Sequence, residues 1–437
     1  MSFPARARAR IARLAGRHDS LVQTILAFSV KLFGAAASFA FSFVIARTFG
    51  AAGTGSFALA QTTAIIGSTV AVFGLDYFLI RTVAGDVRMG DTAAAAGSVR
   101  KVTQIVAGFA VIIAVALALV GVPVLHQLLG KARDMSFLHF AALAVVPLAL
   151  TRIAVVGLRG AGSIVTAQWF DGPMAMSMSL VGLAALVATS VTRSISELVL
   201  LYCATTTIGA IIAWGAYRRR TRTWDAPATV PARPMLSKSW RISLTVLAAT
   251  IADWLTLLIL GRYFGAVEVG QFRTAWQITA LVALVVSTLD TVSGPRIAAA
   301  SRVKDIDGIR KLWRQSALLM TMGSLPLLVV VLTVPEWVLG LFGAEFVVAA
   351  PALRILALGQ IFNIATGSVG AVLMMTGREA WSLRLALLSL AVLGLTGVFL
   401  IPRYGIAGAA MATALSVIVR NGTMTLLVWR QLRRIPT

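Results

Sequence analysis

Among the charged side chains within the long apolar runs of this 437-residue chain, five stand out: Lys31, Arg152, Asp253, Arg354 and Arg420. A charge near the centre of a bilayer costs at least roughly 2.5–3.5 kcal/mol, so such a residue normally faces a water-filled cavity or a partner. Lys31 lies ten residues into a run that begins near residue 21. At 1.5 Å per residue that is about 15 Å deep, close to the midplane. Three of the five also lie on small, polar helical stripes: Thr24, Ala27, Lys31, Ala35, Ser38 and Ser42; Thr245, Ala249, Asp253 and Thr256; Ala409, Thr413, Ser416, Arg420 and Thr423. The chemistry this favours is the holding of an anion. Four of the five charges are cationic, and cations are the direct way to keep a phosphate-like group out of bulk water. Each charge has a plainer reading. Asp253 is either a structural tie to Lys31 or Arg420, or an acid that couples transport to an ion. Arg152 and Arg354 lie nearer helix ends, where a long side chain can reach the interface. Asp76 and Asp290 stand near Arg81 and Arg296 as interfacial pairs, and Asp171, before Gly172-Pro173, caps a broken helix.

The elements that carry these charges are membrane helices. Hydrophobic residues make up 58% of the chain and charged ones 13%, about half the roughly 25% of a soluble domain. Twelve apolar segments are expected at approximately 21–46, 55–78, 102–124, 136–158, 166–190, 195–217, 242–261, 271–293, 315–335, 350–374, 380–401 and 406–429. The net charge of +23 does not point to nucleic acid, because its placement follows topology. With the N-terminus cytoplasmic, 28 Lys/Arg fall on the cytoplasmic side and seven opposite (Arg47, Lys131, Arg133, Arg193, Arg262, Arg273, Arg403). That bias puts both termini inside. Segment 21–46 is too long for a cleavable signal peptide and reads as an uncleaved first helix.

Motifs of catalysis are missing from the sequence: there is no HExxH, GxxxxGK[ST] or GxSxG, one cysteine (Cys203) and three scattered histidines. Neither a metal nor another cofactor is expected, nor an enzyme. What the chain does contain is a duplication. "RTFGAAGTGSFALA" at 47–60 returns as "RYFGAVEVGQFRTA" at 262–275, with Arg47/Arg262, Phe49/Phe264, Gly50/Gly265, Ala51/Ala266, Gly55/Gly270, Phe57/Phe272 and Ala60/Ala275 identical. "LLG" (128–130) answers "LFG" (341–343), and "LRGAG" (158–162) answers "LMMTG" (373–377). Each half holds six segments, an even number, so both enter the membrane from the same side as a parallel repeat. The expected organisation is a basic tail (1–20), a six-helix lobe (21–217), a cytoplasmic linker (218–241), a second six-helix lobe (242–429) and a tail (430–437). Arg47 and Arg262 end the first helix of each lobe at the outer interface, and the glycines turn the chain.

"ARTFGAAGTGSFALA", "GRYFGAVEVGQF", "LFGAEFVVAAPALRILALG" and "IPRYGIAGAAMATALS" together resemble the polysaccharide-exporter (Wzx-type) flippases, over about residues 20–430. That superfamily also holds the lipid II flippases and the multidrug and toxin extrusion transporters. The resemblance implies two lobes in a V and a lateral opening between the first and eighth helices. It also implies a short oligosaccharide on a polyprenyl diphosphate as cargo, moved from the inner to the outer leaflet of a bacterial inner membrane. Glycosyltransferases and a polysaccharide polymerase are the partners it suggests; nucleic acid is not one. The residues expected to hold the diphosphate are Lys31, Arg420, Arg152 and Arg354.

Two other classes compete. An antiporter for cationic drugs should carry acids in its first helix, where this chain has Lys31 and no acid in 21–46. A membrane-embedded polymerase or ligase should carry a large outer loop, whereas the longest outer connection expected here is about fifteen residues.

Overall fold

A computed structural model describes residues 3–129, 137–189, 194–303, 305–375 and 379–434, and over these the chain is almost wholly helical. Lys131, Arg133, Arg193, Lys304 and Arg378, counted above, lie outside the described residues. So do the side chains of the N-terminal tail, Thr24, Lys238, Arg302, Arg433 and Arg434. Ten helical stretches are long and apolar enough to cross a membrane. Two of them, Ile25–Val72 and Trp381–Arg430, run for 48 and 50 residues. At 1.5 Å per residue each is over twice the roughly 30 Å of a bilayer core. Both are broken at a glycine: α1 (Phe3–Val72) at Gly50 (φ 65°, ψ −168°) and α15 (Glu379–Arg434) at Gly405 (φ 54°, ψ −127°). Splitting those two raises ten to twelve crossings, as the apolar pattern predicts.

The remaining elements follow in order. After a Phe73-Gly74 turn comes α2 (Leu75–Met89), then α3 (Thr92–Ala116), which continues through a wide turn into α4 (Val122–Leu129). Next are α5 (Phe137–Gly160), α6 (Ile164–Phe170), α7 (Pro173–Ala188) and α8 (Ile195–Arg220). The second half comprises α9 (Arg233–Tyr263), α10 (Ala266–Arg302), α11 (Ile306–Thr333), α12 (Pro335–Gly340), α13 (Ala350–Ala365), α14 (Val369–Met375) and α15. Local signals account for the boundaries. Asp91 and Asp305 accept hydrogen bonds from backbone N–H groups three residues on, and Ser194 with Glu197 forms a full capping box. Gly172 (φ 116°) and Pro173 divide α6 from α7, as the sequence suggests. By contrast α5 and α11 run on through Pro147 and Pro326, so neither proline ends its helix.

Residues 221–232 join the halves without a helix, but they are held down. Ala228 N donates to Ala93 O at 3.0 Å, Asp225 N donates to Thr92 Oγ1 at 3.2 Å, and Gly97 leaves room for the Ala228 carbonyl. The connection is a strap on α3.

Packing differs between the two ends of the bundle. Toward the Gly50 and Gly265 turns, one continuous core draws Phe41, Phe57 and Leu138 from the first half together with Leu257, Phe272 and Phe346 from the second. Toward the linker the cores are separate: Leu75, Val99 and Ile153 belong to one, Ile297, Val372 and Leu385 to another. The halves therefore share a core at the glycine-turn end, while toward the linker their cores are separate and α9 bridges them, with Met235 in the first-half core and the backbone of Ser239 and Ser243 against Gly74.

Candidate functional site: a cationic cavity between the halves

The first arm of α1, its second arm (51–72) and α10 enclose a cavity of about 430 Å³. Ala35, Ser38 and Ser42, three members of the helix-1 stripe, line it from one side. From the other come Arg273, Gln277, Ala280, Leu284 and Ser287, spaced at three and four residues so that they form one face of α10. Lys31 Nζ donates to Ser287 Oγ at 3.2 Å, at the end of the cavity nearer the linker. Arg273 marks the other end, fourteen residues and about 21 Å along the helix. Its guanidinium lies 4.6 Å from the centre of the Trp276 ring, a cation–π contact that fixes the side chain. Gln277 Nε2 also donates to Ser38 O at 3.4 Å, and Trp254 Nε1 to Thr63 Oγ1 at 3.3 Å, both across the halves.

Behind Arg273 a pocket of only about 20 Å³, room for a single water, is lined by Asp253, Thr256, Trp276 and Thr413. The cations acting on Asp253 are Arg273 first and Arg420 second. Arg420 Nε donates to Asn421 Oδ1 (3.4 Å), Asn421 Nδ2 to Asn363 Oδ1 (2.5 Å), and Asn363 Nδ2 to Gln360 Oε1 (3.1 Å). This network orients the guanidinium within the second half. Around Asp253 two cations thus face one acid, and Lys31 adds a third cation below.

Several expectations change here. Lys31 is not tied to Asp253; its recorded partner is Ser287. Arg420 acts on Asp253 only through its field, forms no ion pair with it among the described residues, and lines neither cavity. Arg152 points away from the cavity, with Nη2 2.7 Å from Asp76 Oδ2 and Nη1 3.1 Å from Thr69 Oγ1. Asp76 therefore pairs with Arg152, not Arg81, because the helical face of α5 brings the guanidinium to it. Arg354 bonds the Leu332 carbonyl and Glu336, at the mouth of the second half. Arg47 and Arg262 are exposed, and Arg47 rests 5.7 Å from the Phe43 ring centre. Arg159 pairs with Asp171 at 2.5 Å. Arg273 is the residue sequence reasoning missed, having been counted as an outer-loop charge. Its signal was present: Arg273, Gln277, Ala280, Leu284 and Ser287 share one helical stripe.

Residues 20–301 match the family described as polysaccharide biosynthesis proteins, which is more than half of the chain. The chain belongs to this family. Residues 242–400 also match the MatE family. Among curated relatives, the probable low-salt glycan biosynthesis flippase Agl15 of Haloferax volcanii is 23% identical over 404 residues, covering 92% of this chain and 82% of that protein. Two solved structures share the fold. An inward-facing multidrug resistance MATE family transporter of the MOP superfamily superposes with a TM-score of 0.74 at 14% identity, covering 94% of this chain and 98% of its own. The lipid II flippase MurJ in an inward closed conformation gives 0.72 at 12% identity, covering 95% and 88%.

Proposed function

We propose that this multi-pass membrane protein is a flippase that carries an oligosaccharide on a polyprenyl diphosphate from the inner to the outer leaflet of a bacterial inner membrane, for surface polysaccharide synthesis. The observation that carries this reading is the excess of cations along the cavity between the halves: Lys31 at one end, Arg273 at the other, with Arg420 behind it and Asp253 the acid among them. A diphosphate entering from the linker end meets Lys31 first, and Arg273 offers it the next cation deeper in. The amides of Gln61 and Gln277 and the ring of Trp276 suit the sugar. Ile25, Leu26, Leu32 and Phe33, exposed on the first arm of α1, suit contact with the acyl chain in the bilayer. The family match and the flippase among its relatives support the same cargo class. In this reading the linker end is cytoplasmic, the glycine-turn end faces outward, and the glycosyltransferases and polymerase of the same glycan work on either side.

The test is deletion of the gene in its own host. Loss of a surface glycan with accumulation of its lipid-linked precursor is expected, and Lys31→Arg should restore part of it while Lys31→Gln should not. Unchanged glycan together with new sensitivity to ethidium would favour a cation antiporter, for which Asp253 is the natural acid.

A further inference from the structure

The two glycines of the repeat that do not turn the chain meet each other. A Cβ built on Gly55 would lie 1.8 Å from the Ala266 carbonyl oxygen, and one built on Gly270 would lie 1.9 Å from that of Ala51. The contact is reciprocal, as two parallel copies crossing at their common axis require. Phe57 and Gln61 lie two and six residues below Gly55, and Arg273 three below Gly270; all three line the main cavity. The crossing is therefore its roof, within the core that the halves share.

The roof is braced from one side. Glu345 belongs to a tight turn (Ala344–Ala349) of the second half, and its Oε1 accepts the N–H of Ala51 in the first half at 2.9 Å. That N–H opens the 51–72 arm and has no partner within its own helix. A carboxylate there also meets the positive end of the helix dipole. Gln271 Nε2 donates to the Glu345 carbonyl at 2.6 Å and so fixes the turn. Three residues earlier, buried Phe342 packs against Phe39 and Phe43, each 5.4 Å away between ring centres. In the sequence, the repeat carries no second carboxylate at the equivalent position. Aligning "LLG" with "LFG" puts Ala132 opposite Glu345, between Lys131 and Arg133.

We infer that Glu345 is the latch of this roof: its carboxylate on the Ala51 N–H holds the cavity shut at the glycine-turn end and lets go when the cavity opens there. A single part-buried hydrogen bond from an exposed carboxylate suits that task, since water can solvate the carboxylate on release. The inference rests on the proposed alternation of access and does not depend on the cargo.

The test measures distance and needs no substrate. Ala52 and Val267 are repeat equivalents, both exposed, on the two crossing helices. Spin labels on Ala52→Cys and Val267→Cys, in a Cys203→Ala chain in lipid nanodiscs, report their separation. With Glu345 present, one narrow distance should dominate. Glu345→Gln, which keeps the size and loses the charge, should raise a longer-distance population at least threefold, and Glu345→Ala should raise it further. Gly270→Ala, whose new methyl group forces the helices apart, supplies the open reference. A long distance in Gly270→Ala but an unchanged distribution in both Glu345 variants overturns the latch alone. The short distance in all of them, Gly270→Ala included, overturns alternation through this crossing, and the transport reading with it.

Discussion

Lys31, Arg273 and Arg152 are all cations within helices, yet their surroundings give them different work. Arg273 lines the cavity and Lys31 bonds Ser287 at its linker end, so their loss should reduce transport without unfolding the protein. Arg273→Gln is expected to lower glycan export more than tenfold at normal membrane abundance, and Arg273→Lys to keep part of it. Surface glycan measured beside protein level checks both. Lys31→Ala/Asp253→Ala should export no better than Lys31→Ala alone, because Lys31 rests on Ser287 and not on Asp253. Arg152 should behave in the opposite way. Its removal strands Asp76, whose side chain is only 10% exposed, and breaking such a pair typically costs about 3–5 kcal/mol. The 30% exposure of Arg152 places the cost toward the lower end. Arg152→Ala should therefore lower the melting temperature of the purified protein, while Arg152→Met/Asp76→Leu should recover most of it. Of these roles, only the depth of Lys31 was legible in the sequence. Pairing across 76 residues leaves no local trace, and Arg273, so near the start of its helix, looks like an interfacial charge until its stripe is followed.

Among the elements, the repeated glycines do two jobs that the sequence shows as one motif. Gly50 and Gly265 turn the chain, at φ 65° and 109°; Gly55 and Gly270 let two helices touch backbone to backbone. The first job is readable from a lone glycine between apolar runs. The second needs both halves in space, which the repeat hints at but cannot state. The two turns are alike: Gly50 (φ 65°, ψ −168°) and Gly265 (φ 109°, ψ −169°) both lie in a region essentially reserved for glycine. Gly265→Ala should then cost about 1–3 kcal/mol of backbone strain, although nothing stands within 4 Å of the added methyl group. Gly265→Asn should be no better, and Gly50→Ala should cost at least as much, since its new methyl group would also lie 2.7 Å from Glu345 Oε1. Melting curves of the purified variants would show the order; equal melting of Gly265→Ala and the parent would contradict the strain account.

On the scale of the whole molecule, twelve crossings were legible because a bilayer enforces the length of its helices. The two-lobed form was legible because the halves are still alike. Which end is closed was not legible, since it depends on how Phe41, Leu257 and Phe346 meet across the halves. The outward orientation proposed for the closed end rests on charge, and it makes a prediction of its own. Cytoplasmic connections carry the excess of Lys and Arg, and in this chain the basic stretches flank the 221–232 strap. Thr229 lies exposed on that strap and Val348 is 69% exposed at the glycine-turn end. In a Cys203→Ala chain, an impermeant thiol reagent added to intact cells, with periplasmic access assured, should label Val348→Cys at once. Thr229→Cys should be labelled only after the inner membrane is permeabilised. Reversal of that pattern would place the shared core on the cytoplasmic side and Lys31 nearer the outer mouth. A lipid-linked cargo loaded from the cytoplasm would then meet Arg273 before Lys31, and the direction of transport proposed here would fail even though every helix stood where it is.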